Sequence, residues 1–152
     1  MLEVVIDTET TGLDADDEIV EIAIIDDNEN VLVNTLVRPI NQNEWPGAEN
    51  IHGISPTDVE NAPTQAQISD DIRDAVSNCR VVIYNAKYDG QYLPELEDAA
   101  EISCCMEQFM EFNQGKRTSL MNATDIVGYE RQGSHRALAD TLSCRAVWKA
   151  IQ

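Results

Sequence analysis

Apolar residues recur along this chain at two different spacings, and the switches between them predict its elements. Residues 2–7, LEVVID, form a nearly unbroken apolar run that reads as a buried strand. Residues 19–26 (IVEIAIID) and 31–38 (VLVNTLVR) read as two more, joined by an Asp-Asn-Glu-Asn turn at 27–30. Three successive strands on tight connections predict an antiparallel meander. Between Pro39 and Pro63 the chain is rich in Pro, Asn and Gly and predicts a long, ordered connection. At 64–79 the spacing becomes helical, with Ile68, Ile72, Ala75 and Val76 behind a Thr64 cap. VVIY at 81–84 predicts a short buried strand, and 87–100 a helix with Tyr88, Tyr92 and Leu96 on one stripe. ISCCM at 102–106 predicts another strand. Two helices follow, near 118–127 and from about 136 to 151, the second turning Leu138, Leu142, Ala146 and Ile151 to the core. No repeat, low-complexity run or linker divides residues 1–152, which predicts a single domain. Strands first, then helix and strand alternating, then helices: the order predicts an α/β sheet with helices packed on its faces.

Composition narrows the class. A chain of 152 residues can enclose a real core, and 43% apolar with 25% charged residues is the balance of a soluble globular protein. No stretch approaches a membrane span, and the N-terminus lacks a basic segment followed by an apolar one, so a cytoplasmic protein is expected. Cys79, Cys104, Cys105 and Cys144 show neither C-x-x-C nor zinc-ligand spacing and read as reduced, partly buried thiols. The net charge of −18 argues against a nucleic-acid partner, until its distribution is considered. Residues 1–114 hold 4 basic and 25 acidic residues, whereas residues 115–152 hold 6 basic and 3 acidic ones. A local basic surface is compatible with that polarity.

The first strand runs into Asp7, Thr8, Glu9. In an extended chain residues i and i+2 share a face, so the two carboxylates project together and repel. A bound cation is the leading way to offset that repulsion. Spacing alone carries little weight, because Asp14/Asp16, Asp27/Glu29, Asp58/Glu60 and Glu95/Glu97 repeat it. What sets Asp7 and Glu9 apart is the buried strand before them and the Thr-Thr-Gly turn after them. Two other places repeat the pattern of an acid at an element's edge: Asp89, after the strand at 81–84, and Asp140, in the last helix. His135, one of two histidines, lies five residues before Asp140. In regular helix the two would diverge by about 140°. They face one site only if His135 sits on the loop before the helix, with Ser134 as a cap.

The ordered set DTETTGL, IHGIS, YNAKYD and HRALAD resembles the DEDD (DnaQ-like) superfamily of 3′→5′ exonucleases, on the branch with a catalytic histidine, DEDDh. Proofreading epsilon subunits of bacterial replicative polymerases and small stand-alone DNA exonucleases are the nearest in kind. The match runs from residue 2 to about 148. It implies an RNase H-like exonuclease fold: a mixed central sheet, three antiparallel strands followed by parallel ones, flanked by helices. By the same resemblance Asp7, Glu9, Asp89 and Asp140 are the acidic metal ligands and His135 the general base. Thr10, Gly12 and Leu13 match the turn that holds the terminal nucleotide. Ile51, His52, Asn85 and Tyr88 match other positions lining its site, and Arg136, beside the base, is a candidate phosphate contact with Lys116, Arg117 and Arg131. Tyr84 departs from the family, which often has histidine there.

The implied cofactor is a pair of Mg²⁺ or Mn²⁺ ions, hard cations that favour oxygen ligands. The implied reaction is stepwise release of 5′-mononucleotides from the 3′ ends of single-stranded or frayed nucleic acid. DNA is favoured over RNA, and a DNA polymerase is a further possible partner. One alternative is an RNA-trimming or short-oligonucleotide exoribonuclease, which the acidic body would suit. Another is a non-catalytic module that binds nucleic-acid ends or a polymerase; the presence of all four acids and the histidine speaks against it. The chain stops soon after its last helix, which favours a stand-alone enzyme.

Overall fold

The computed structural model describes residues 1–152. Five strands form one sheet: β1 (Glu3–Thr10), β2 (Ile19–Asp26), β3 (Val31–Leu36), β4 (Arg80–Ile83) and β5 (Glu101–Cys104), in the order β3-β2-β1-β4-β5. The meander is antiparallel; β4 and β5 run parallel to β1. Side chains alternate across β1. Val4 and Ile6 face a core shared with Ile22, Ile24, Val81, Ile83 and the helix Gln65–Val76. Val5 faces the opposite core, with Ile25, Val82, Phe109, Val147 and Trp148. That second face is covered by three helices, Cys105–Phe112, Leu120–Val127 and Ala137–Ala150. A third cluster of Val20, Trp45, Ile54 and Val59 anchors the connection before residue 63.

Several elements differ from the sequence expectation. The connection from 39 to 63 contains two short helices, α1 (Pro46–His52) and α2 (Pro56–Val59), each opened by a proline whose missing N–H costs nothing in a first turn. Numbering on, Gln65–Val76 is α3. The helix expected at 87–100 is broken: α4 covers only Ala86–Gly90, and a 3₁₀ turn follows at Pro94–Asp98. Pro94 cannot donate into a continuing helix and disfavours helical backbone at Leu93. The strand expected at 102–106 ends at Cys104, and Cys105–Phe112 forms α5. Leu120–Val127 and Ala137–Ala150 are α6 and α7.

Candidate active site

The topology makes an opening beside the end of β1. β4 pairs with β1 only as far as Ile6 opposite Ile83, while β1 continues to Thr10 alongside β2. Asp7 and Glu9 therefore lie on an overhang with no neighbour on the β4 side. The crevice outside the carboxyl ends of parallel strands, where connectivity changes direction, is the usual ligand site of such sheets. After Ile83 the chain turns into α4, which carries Asp89 back towards β1. There the Thr8 N–H (3.2 Å) and Thr8 hydroxyl (2.8 Å) both donate to Asp89 Oδ2. Asp7 and Glu9 project to the face covered by α7, which supplies Asp140 from its first turn.

These groups line one cavity of about 240 Å³ with Thr8, Tyr84, Asn85, Tyr88, Ser134, His135 and the start of α6 at Ser119–Met121. One carboxylate oxygen each from Asp7, Glu9 and Asp140 lie within 4.8 Å of one another. Asp7 Oδ2 is buried and has no hydrogen-bond partner. Burial pushes the Asp7 carboxyl well above the usual carboxylate range, helped by Asp89, Glu9 and Asp140. Burial, then Asp140, pushes Glu9 up to about 8. Burial raises Asp89 to about 6 against the opposing hydrogen bonds from Thr8. Asp140 is also raised by burial, with His135 holding it down. An unpartnered buried oxygen among three further repelling carboxylates is a poor arrangement by itself and a good one around hard cations. The donor set fits a divalent metal.

His135 sits on the loop before α7, as required for it to share a site with Asp140. Its backbone is left-handed (φ 58°), and its N–H donates to both Asp140 oxygens at 3.2 and 3.1 Å. The cap differs from expectation: Arg136, not Ser134, is the N-cap of α7, and its side chain makes no capping bond.

The remaining expected residues divide into two groups. Asn85 and Tyr88 line the cavity; Thr10, Gly12, Leu13, Ile51 and His52 do not, although Gly12 is tied to it through Tyr88 and His52 is bonded to Thr10. The Thr10 hydroxyl donates to Gly12 O (2.7 Å), and Tyr88 OH donates to the same carbonyl (2.8 Å). His52 is buried. Its Nδ1 accepts from the Ile54 N–H (3.0 Å), so the proton is on Nε2, which donates to Thr10 O (2.9 Å). A Cβ on Gly12 would lie 2.5 Å from Asp17 Oδ2, so the turn admits only glycine without displacement. Leu13 (81% exposed) and Ile51 (61%) leave large apolar side chains in solvent. Arg136 does not reach towards the cavity in the expected way: its guanidinium forks onto Glu21. Arg131 pairs with Asp125 and is likewise engaged.

Three participants were not expected from the sequence. Thr8 holds Asp89, Glu21 holds Arg136, and the Tyr84 hydroxyl donates to Thr118 O (2.5 Å), tying the loop before α6 to the cavity wall. Glu21 had a signal: it is the one acid inside the apolar run of β2. A larger cavity, about 890 Å³ between α3 and β3, holds none of the expected residues.

Known proteins resemble this chain in sequence and in fold. An exonuclease family model, RNase_T, matches residues 4–147. The uncharacterized exonuclease CP81 of Escherichia phage 186 is 35% identical over 156 residues, spanning 89% of this chain and 80% of that protein. DNA polymerase III subunit epsilon of Rickettsia felis is 35% identical over 98 residues, which is 60% of this chain and 42% of the subunit. Among solved structures, exonuclease X in complex with 5′ overhanging duplex DNA superposes with a TM-score of 0.78 at 29% identity, covering 98% of this chain and 90% of that one. No helix is long and apolar enough to cross a membrane.

Proposed function

The chain belongs to the RNase_T exonuclease family within the DEDD superfamily, and from that membership we propose that it is a 3′→5′ exonuclease acting on single-stranded or frayed DNA ends. One observation carries the reading: Asp7, Glu9 and Asp140 converge within 4.8 Å, with one Asp7 oxygen buried and unpartnered. Family members are divalent-metal-dependent hydrolases. Two Mg²⁺ or Mn²⁺ ions would suit this site, and Asp7, Glu9, Asp89 and Asp140 are the residues that would hold them. Bound there, they supply a more acidic water and positive charge opposite the phosphate oxygens.

The protein's own groups do the rest. His135, on an exposed loop at the cavity, accepts the proton of the attacking water. The Thr10–Gly12 turn, fixed from below by His52 and from the side by Tyr88, receives the terminal nucleotide. Leu13 and Ile51 flank its base, recovering in the complex the apolar contact they lack in the free protein. Lys116 and Arg117, exposed on the loop tied to Tyr84, contact phosphates further along the strand. Residues 1–152 act as one exonuclease domain, and the product is a 5′-mononucleotide.

The test uses 5′-labelled single-stranded DNA and RNA of one sequence, with Mg²⁺ or Mn²⁺, and with EDTA and Asp7→Ala as controls. A ladder shortening from the 3′ end, faster on DNA and absent in both controls, is the expected result. Faster trimming of RNA would replace the substrate class, and no cleavage with any metal would overturn the reading.

A further inference from the structure

Glu21 lies directly opposite Glu9 in the β1–β2 ladder, and like charges facing each other across strands destabilise a sheet. It is nevertheless 5% exposed and satisfied at both oxygens. Oε1 accepts from Arg136 Nε (3.0 Å) and from the backbone N–H of Ala137 (2.7 Å). Oε2 accepts from the second arm of the Arg136 fork (2.6 Å). Ala137 opens α7, and its N–H is one of the groups a helix start leaves without an internal partner. Glu21 thus caps α7 from a neighbouring strand, in place of the absent side-chain cap at Arg136.

The residue between these anchors and the cavity is His135. It is fixed on one side by Glu21 through Arg136 and Ala137, and on the other by its own N–H donating to Asp140. Its left-handed backbone is disfavoured for a non-glycine residue, so this conformation needs external support. We infer that Glu21, with Arg136 as its partner, is a positioning residue that sets the place of His135 and Asp140 in the exonuclease site. The inference rests on the proposed function for its kinetic consequences but not for its structural ones. It also gives Arg136 a role different from phosphate contact.

The test compares the parent, Glu21→Gln, Arg136→Gln, His135→Ala and the Glu21→Gln/His135→Ala double variant. Glu21→Gln is expected to lower kcat roughly 10–100-fold, as loss of an outer-shell partner does, with KM changed little. In the His135→Ala background the same substitution should cost no more than about 3-fold, because the group it positions is already gone. Arg136→Gln leaves the Ala137 bond in place and should give a smaller loss, with unchanged salt dependence of binding. Amide hydrogen exchange gives an arm independent of activity. In Glu21→Gln the His135 and Ala137 amides should exchange at least about ten times faster while those of β1 and β4 stay protected. Equal cost in both backgrounds, a kcat within about 3-fold of the parent, or unaltered exchange at residues 135 and 137 would each overturn the inference. A parent without nuclease activity would refute the proposed function instead, and the exchange arm would still decide the role of Glu21.

Discussion

Replacing Asp7 by Asn is expected to abolish nuclease activity and, in the absence of metal, to make the protein more stable. The substitution keeps the shape of a carboxyl that has one buried, unpartnered oxygen and removes its charge. Its neighbours set the scale. Raising Glu9 from 4.5 to about 8 corresponds to ~5 kcal/mol between its two protonation states. Raising Asp89 from 3.8 to about 6 corresponds to ~3 kcal/mol. An acid whose pKa is raised by folding contributes no penalty below its unfolded pKa; stability is then lost as pH rises towards the folded value. The metal-free parent should therefore be most stable near pH 4 and weaken up to about pH 8, as Glu9 and Asp89 titrate. Half-buried Asp26 and exposed Asp58, held low by hydrogen bonds from Asn30 and Ser55, act in the opposite sense but are screened by solvent. Asp7→Asn removes one charge from this cluster and should return ~2–3 kcal/mol at pH 8, or roughly 4–12 °C in Tm for a domain of this size. The assay is calorimetric unfolding in EDTA at pH 5 and pH 8, repeated with Mg²⁺. The gain should shrink at pH 5, and Mg²⁺ should raise the Tm of the parent far more than that of the variant. A variant less stable than the parent at pH 8 in EDTA would refute the picture of a site strained by its own charges.

His135→Ala should lower kcat by roughly 10²–10⁴-fold while leaving the Mg²⁺-induced rise in Tm intact, since it removes a base and no carboxylate; single-turnover rates and calorimetry separate the two. His52→Ala removes two buried hydrogen bonds, one to Thr10 O and one from the Ile54 N–H, and should cost ~2–3 kcal/mol in denaturant unfolding, with a raised KM. Gly12→Ala forces Asp17 off its bonds to Thr11 and the Asp14 N–H, and should raise KM for single strands more than it lowers kcat. Lys116→Ala and Arg117→Ala should each reduce the slope of log affinity against log salt by ~0.7, measured with a catalytically dead variant.

The sequence exposed the site more fully than the fold because of where its acids interrupt apolar runs. Asp7 and Glu9 end a buried run, and Asp89 follows another, positions where packing alone would place apolar or neutral groups. The meander was legible from the turn at 27–30, and the alternation of Val4 and Ile6 against Val5 assigned its faces. Boundaries were harder. Tyr88, Tyr92 and Leu96 do share the α3-facing core, but the chain reaches it through a short helix and a 3₁₀ turn, because Pro94 intervenes. Helix α5 was hidden because Cys104 and Cys105 prolong the apolar pattern of β5 past the point where pairing stops. Arg136 reads as a free cation beside a base; only the β2–α7 contact reveals that Glu21 claims its fork.

That last pairing belongs to a wider pattern that bears on how an acidic body meets a polyanion. Ion pairs engage Arg73, Arg80, Arg131, Arg136, Arg145 and Lys149, so most of the chain's scarce positive charge is spent on its own acids. Arg38, Lys87, Lys116 and Arg117 form none. Lys116 and Arg117 lie on the loop whose Thr118 carbonyl accepts from Tyr84, and Lys87 is on α4, two residues after Asn85. Tyr84 and Asn85 both line the cavity. Two of the four uncommitted cations, Lys116 and Arg117, are thus tied to the cavity wall through Tyr84, whereas Arg38 follows β3 beside Pro63. On the proposed function, repulsion by the body and attraction at Lys116 and Arg117 should act together to favour approach of a free end over lateral binding along a strand. The same economy reaches the site itself: no basic side chain pairs with Asp7, Glu9, Asp89 or Asp140, which leaves that cluster suited to the charge of a metal.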